Sequence, residues 1–412
     1  MKKSYLFGII GVVLSGIIFY ACNSNGGGTE DDSIGEDSTE VSFPMSAPST
    51  LKVFIDASGS MRPYFGKEDI SSISDALSGL NQAVESLHAE YYVWGDETNA
   101  ISDKELTNML VQKNLKGKAS AFDVIFDKMT EIAGRDTLAV LLSDGIISSA
   151  PNATSISEKF TDYDKGNLTT AIQRSLKGKG KAVSVYRMKG NFNGNYCNKA
   201  NKGVAYEGER PFFVFIVGNP DNVRYFDSQV RKGKIAEIYQ NVEAIYIGTA
   251  PKMDFLIEPA DGKGEMASYQ DFNREEGTNE YTYSGNQGFR VKGEIPKWIR
   301  DCYPANVIKE MSNVEIDGKP TSIKPIVQGD CLIFDIPEQT AEKYHDLQES
   351  WTIKYVMTDP ALKRWEKYST DDDTNPDADH TYLLADLIGA MHKGITGGED
   401  NILEAEITIV PQ

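Results

Sequence analysis

Histidine and cysteine are scarce in this chain, with four of each among 412 residues. So few imidazoles and thiols argue against a histidine-built dizinc hydrolase centre, a zinc ribbon or a disulfide-dense scaffold, and any metal is expected on oxygen ligands. Basic charge is also in the minority. Forty-two Lys and Arg stand against 61 Asp and Glu, and the formal net charge of −19 repels phosphate backbones, so nucleic acid is not an expected partner. What is present is an apolar fraction of 40%, enough to bury a core in each of the two or three domains that the length implies.

Lys2 and Lys3 precede an apolar run over residues 5–21, the charged and hydrophobic parts of an export signal, and Cys22 follows at once. Ala21-Cys22 after such a run resembles a bacterial lipoprotein cleavage site, which implies a signal peptide over 1–22 with Cys22 as the lipidated residue. The alternative is an uncleaved anchor, since the seventeen residues would just span a slightly thinned bilayer. Either way the body is exported and held at the cell envelope. Residues 23–50, with Gly26-Gly27-Gly28 and then Glu30, Asp31, Asp32, Glu36, Asp37 and Glu40, read as an acidic flexible tether. An acidic stretch behind the lipid cysteine also resembles the surface-export signal of Bacteroidetes lipoproteins, which implies the outer membrane; a plain solvated linker explains it equally well.

From 51 to about 235 apolar runs alternate with helical periodicity. Val53-Phe54-Ile55 ends in Asp56, and the run 138–142 ends in Ser143-Asp144-Gly145; runs without polar alternation suggest strands covered on both faces. Ile73, Leu77, Leu80, Val84 and Leu87 recur at helical spacing, as do Phe122, Ile125, Phe126, Met129 and Ile132. Further strands are expected at 91–94, 182–186 and 212–217. This order predicts an α/β domain built on a doubly wound, mostly parallel sheet, in which ligands bind outside the carboxyl ends of the strands. Asp56 and Asp144 stand at two such ends.

Asp56-Ala57-Ser58-Gly59-Ser60-Met61 places a carboxylate and two hydroxyls in one tight turn, hard oxygen donors of the kind magnesium takes while keeping several waters. Asp56-x-Ser58-x-Ser60 followed by Asp144-Gly145 resembles the metal-ion-dependent adhesion site of von Willebrand factor type A domains. The resemblance implies a Mg2+ (or Mn2+ or Ca2+) ion held by Asp56, Ser58, Ser60, Ser120 and Asp144, with the serines direct and the aspartates commonly acting through water. Ser120 occupies the place of the family's threonine at the start of a helix, and Asp123 is a nearby substitute whose position also suits the helix dipole. A protein partner or ligand would complete the metal with its own carboxylate.

Turns at 62–69, 146–166 and 189–210 are expected to rim this site, with Tyr64, Phe65, Phe192 and Tyr196 as aromatic contact residues or as pins of their own loops. Gly178-Lys179-Gly180-Lys181 reads as a basic turn before a strand. Residues 240–412 read as a β-rich, sandwich-like region with short strands at 281–291, 314–316, 331–336 and 351–357, one helix carrying Leu384, Leu387, Ile388 and Met391, and a closing strand at 402–410. The run 371–379 reads as a solvated acidic loop in preference to a calcium loop. Among Cys197, Cys302 and Cys331 any one pair can form, and Cys302 with Cys331 is the expected one.

The expected function is that of a non-enzymatic, lipid-anchored binding module acting through the metal. An envelope scaffold with a structural metal or none is the alternative. A metal-assisted ester hydrolase using Ser58 or Ser60 is disfavoured, because His88 is the only histidine before residue 345 and falls at the far end of a helix.

Overall fold

The first strand, β1 (Thr50–Asp56), lies third in a seven-stranded sheet with β2 (His88–Trp94), β3 (Thr98–Ile101), β4 (Thr137–Ser143), β5 (Ala182–Cys197), β6 (Gly203–Gly218) and β7 (Glu243–Ile247), in the order β3-β2-β1-β4-β6-β5-β7. The computed structural model describes residues 45–66, 71–83, 88–95, 98–112, 121–146, 162–198, 202–231, 239, 242–258, 272–275 and 278–412. The signal peptide, Cys22, nearly all of the tether, Ser120 and most of the 146–166 turn lie outside the described residues. Val41–Gln412 forms one compact unit.

The sheet is mixed. It is parallel at β1-β2 and β1-β4 and antiparallel at β2-β3, β4-β6, β5-β6 and β5-β7. The mostly parallel sheet expected from the sequence is therefore not what forms. Edge strands β3 and β7 account for two of the antiparallel pairings, and the segment 189–210, which is not a rim loop, for the other two: β5 and β6 are 16 residues each and pair without interruption from Ala182↔Gly218 to Cys197↔Gly203. A strand that returns by a tight connection must run antiparallel. Its insertion between β4 and β5 leaves β1, β2, β4 and β5 running in one direction.

Helices cover both faces. On one side α1 (Ser71–Gln82), α2 (Asp103–Val111) and α5 (Pro220–Arg231) contribute Ile73, Leu80, Leu106, Val223 and Phe226 to the same buried cluster as Leu51, Val53 and Ile55 of β1. On the other, α3 (Phe122–Ile132) and α4 (Asp162–Leu176) pack Phe122, Phe126, Met129 and Ile172 on Phe54, Leu141, Val185 and Phe215. The central strand β4 is buried from Leu138 to Ser143, which is why it reads as an unbroken apolar run.

Beyond residue 247 come β8 (Leu256–Glu258), β9 (Phe272–Arg274), β10 (Glu280–Tyr283), β11 (Phe289–Glu294), β12 (Ser312–Ile316), β13 (Lys319–Pro320), β14 (Ile326–Gln328), β15 (Cys331–Ile336), β16 (Trp351–Thr358), β17 (Ser369–Thr370), β18 (Thr381–Tyr382) and β19 (Asn401–Pro411). They form a six-stranded sheet, β13-β12-β16-β19-β10-β9, a four-stranded sheet, β14-β15-β11-β8, and the β17-β18 pair. Rings meet across the two larger sheets: Phe255 lies 5.7 Å from Tyr355, and Phe289 lies 5.9 Å from Trp351. The interleaved helices are α6 (Lys297–Cys302), α7 (Ala305–Met311), α8 (Glu338–Leu347), α9 (Ala361–Trp365) and α10 (Leu384–Thr396).

Two boundaries expected near 235–240 shift. Strand β7 belongs to the first sheet, and α10 returns to pack Leu387, Ile388 and Met391 with Ile172 and Leu176 of α4. The cause is the apolar stripe of α10, which needs a partner surface and finds it there. At the other end of the chain Asn222 donates to Ser46 O at 2.8 Å, and Ser49 N–H donates to Asp136 O, so the polypeptide reaches β1 at its amino end. Cys302 and Cys331 are not bridged.

Candidate metal centre

Asp56 closes β1 and is fully buried. The turn after it is held by its own carboxylate: Ser58 N–H donates to Asp56 Oδ1 at 2.8 Å, and Met61 N–H donates to Ser58 O. That geometry turns the Ser58 and Ser60 hydroxyls toward each other, 3.0 Å apart. From β4, the Ser143 hydroxyl donates to Asp56 Oδ2 at 2.7 Å. The next residue, Asp144, accepts Ile146 N–H on Oδ1 at 3.1 Å. Gly145, at φ +71°, makes this turn possible, and its missing side chain admits the Phe213 ring.

The structure thus gathers Asp56, Ser58, Ser60 and Asp144, four of the five residues singled out in the sequence. Asp123 is half-buried in the first turn of α3, where it suits the helix dipole.

Asp144 is the member with an oxygen to spare. It is 1% exposed, and its Oδ2 has no hydrogen-bond partner. Burial, and after it the Asp56 carboxylate, raise its pKa well above the usual carboxylate range; the nearby Ser60 hydroxyl, the Ile146 N–H and the Arg210 guanidinium oppose the rise. Two buried acids and two facing hydroxyls with one orphan oxygen form a donor set suited to a hard divalent cation. Such an ion would take the Ser58 and Ser60 hydroxyls and relieve Asp144. Asp56, with both oxygens already accepting hydrogen bonds, suits a contact through water. Among the described residues no group of three or more His, Cys, Asp and Glu is placed to hold a metal, so an ion at this place would have to draw on the serine hydroxyls.

The aromatic residues expected either as contacts or as pins of their own loops are interior, which leaves the second role. Tyr64, Phe65, Phe192 and Tyr196 are each at most 1% exposed, because the β5-β6 hairpin folds back over the turn that follows β1. Tyr64 donates to Pro211 O at 2.6 Å and meets Phe192 edge-on at 5.0 Å. Burial pushes the Tyr64 and Tyr196 hydroxyls above their ordinary pKa.

Sequence reasoning missed Arg210 and Ser143. Arg210 is 1% exposed and lies 4.3 Å over the Tyr196 ring. It donates to Asp377 O at 2.7 Å and to His380 O at 3.3 Å. The acidic run 371–379 is therefore docked and not merely solvated: Tyr196 donates to Asp373 Oδ2 at 2.8 Å, Arg187 to Asp379 O at 2.7 Å, and Lys189 pairs with Asp379 at 2.9 Å. Asp373 is 3% exposed.

No family model, curated protein or solved structure matches this chain. Among the described residues no helix is long and apolar enough to cross a membrane.

Proposed function

We propose that the protein is an envelope lipoprotein, anchored through Cys22, that binds a protein or ligand carboxylate through a divalent cation held by Ser58, Ser60 and Ser120, with Asp56 and Asp144 acting through water. This reading takes the sheet as a variant of the von Willebrand A fold, in which the parallel core β2-β1-β4 with its flanking helices is kept and an antiparallel strand is inserted beyond it. The observation that carries it is the orphan Asp144 Oδ2, buried beside the Ser60 hydroxyl and facing the charge of Asp56. A buried acceptor without a partner costs about 1–3 kcal/mol, more when charged, and a cation removes that cost.

A binding role is preferred over hydrolysis because the serines lack a histidine base from β2. His88 begins that strand opposite Thr50, whereas Trp94 stands opposite Asp56, so His88 lies about 20 Å from the turn at about 3.3 Å per residue. One observation favours a scaffold whose metal is structural or absent: Asp56 is satisfied by Ser58 and Ser143 without any ion.

Isothermal calorimetry of the purified full chain with Mg2+ and Mn2+ tests the reading. Saturable binding that Ser58→Ala or Asp144→Asn abolishes supports it; binding left intact by both variants, or absent from the wild type, rejects it. Capture of a carboxylate-bearing partner that survives chelation favours the scaffold.

A further inference from the structure

The turn that presents Ser58 and Ser60 is tied to the β5-β6 hairpin by an unbroken series of contacts. Within the turn, Ser58 N–H donates to Asp56 Oδ1 at 2.8 Å, Met61 N–H to Ser58 O at 3.2 Å and Tyr64 N–H to Met61 O at 3.1 Å. Arg62–Tyr64 closes it as a single 3-10 turn, which the fixed φ of Pro63 suits. Tyr64, 1% exposed, carries the series across to the hairpin. Its hydroxyl donates to Pro211 O at 2.6 Å, and its ring meets Phe192 at 5.0 Å and Phe212 at 6.1 Å, both edge-on.

The hairpin is shaped to receive this turn. Strand β4 ends at Ser143, opposite Phe213, so residues 203–212 of β6 continue past it and pair, among the described strands, with β5 only. Two glycines of β5 let its backbone come close to the turn. A Cβ on Gly194 would stand 3.0 Å from Pro63 Cγ, and one on Gly190 would stand 3.4 Å from Tyr64 Cδ1.

We propose that the hairpin is a clamp that presets the metal turn, with Tyr64 as its positioning residue. The inference rests on the metal reading above and adds to it a determinant outside the oxygen cluster. Tyr64 acts through the backbone and not as a ligand, since its hydroxyl is engaged by Pro211 O. The sign follows from the clamped geometry. With the turn held, the Ser58 and Ser60 hydroxyls already stand 3.0 Å apart, and Asp56 is fixed by Ser58 N–H and the Ser143 hydroxyl. A turn released from the hairpin must be ordered again when the ion binds, so loosening the clamp weakens binding.

Calorimetric titration of the full chain with Mn2+, at a temperature where circular dichroism shows each variant folded, tests the clamp. Tyr64→Phe keeps the ring and removes only the hydroxyl, and it should bind Mn2+ at least about threefold more weakly than wild type. Gly194→Ala presses on Pro63 from the hairpin side and should do the same; it decides alone if Tyr64→Phe does not fold. Tyr355→Phe is the control. It removes a comparably buried hydroxyl, hydrogen-bonded with Ser312 at 2.8 Å in the C-terminal region, and should leave the affinity unchanged. Loss of stability alone would move both tyrosine variants alike, so equal weakening in the two overturns the proposal. A change below threefold in either folded hairpin variant also overturns it, and binding by the wild type then leaves the metal reading standing. No binding by the wild type rejects that reading and the clamp with it. In chelator, peptides covering 57–65 should exchange their amide hydrogens faster in Tyr64→Phe than in wild type, and unaltered exchange there overturns the clamp without reference to any ion.

Discussion

The Ser143 hydroxyl donates to Asp56 Oδ2 at 2.7 Å, tying the carboxyl ends of β4 and β1 together across 87 positions of sequence. Both residues are fully buried. Ser143→Ala leaves a buried carboxylate oxygen short of its donor, which costs about 1–3 kcal/mol. Urea denaturation should show the midpoint falling with no change in slope.

Gly145 turns the chain at φ +71°, and a Cβ built there would meet Phe213 Cδ2 at 2.7 Å. Gly145→Ala carries a left-handed backbone cost of roughly 1–2 kcal/mol and a clash with a ring in the packed interior. Its thermal midpoint should lie below that of Gly59→Ala, where a Cβ meets nothing within 4 Å.

Asp144 holds its proton to higher pH in the native state than in the unfolded chain, owing first to burial and then to Asp56. The sign follows from linkage: this group's contribution is fully present below the unfolded carboxylate value of about 3.9 and is lost as pH rises through the native value. In chelator, wild type should therefore lose stability across that window relative to Asp144→Asn. At pH 7.5 the variant should be the more stable by on the order of 1–3 kcal/mol. Added Mg2+ should reverse the ranking by stabilising wild type alone.

His392 of α10 has its pKa lowered by burial, with Asp400, 3.2 Å from Nε2, opposing. A lowered histidine contributes stability above the unfolded value of about 6.5, and that contribution is lost as pH falls toward the native value. Urea midpoints at pH 7.5 and 5.5 should differ more for wild type than for His392→Gln.

Strands whose both faces are covered were plain in the sequence, since Val53-Phe54-Ile55 and the 138–142 run need no partner information to be recognised. The same is true of α3 and of β15, whose expected limits, 331–336, are those observed. The Asp56, Ser58, Ser60 and Asp144 grouping was legible because strand ends bring such residues together in any α/β sheet. The hairpin was not recognised. Phe192 and Tyr196 alternate with Asn191, Asn193 and Asn195, which is a strand's period, but the polar content of 189–198 masked it. Helix α4 was missed because Ile172 and Leu176 are its only fully buried apolar residues among those described. Arg210 owes its importance to carbonyls 167 and 170 positions away, a separation that local pattern does not report. Local pattern likewise leaves open whether Tyr64, Phe65, Phe192 and Tyr196 make contacts or pin their loops, and burial selects the second.

The Asn222–Ser46 bond fixes where the polypeptide joins the sheet, at the amino end of β1, while the oxygen cluster crowns the carboxyl end about 20 Å away. A label placed on Met45 itself, one residue before Ser46, therefore stands at the opposite end of β1 from Asp56 and the turn that carries Ser58 and Ser60.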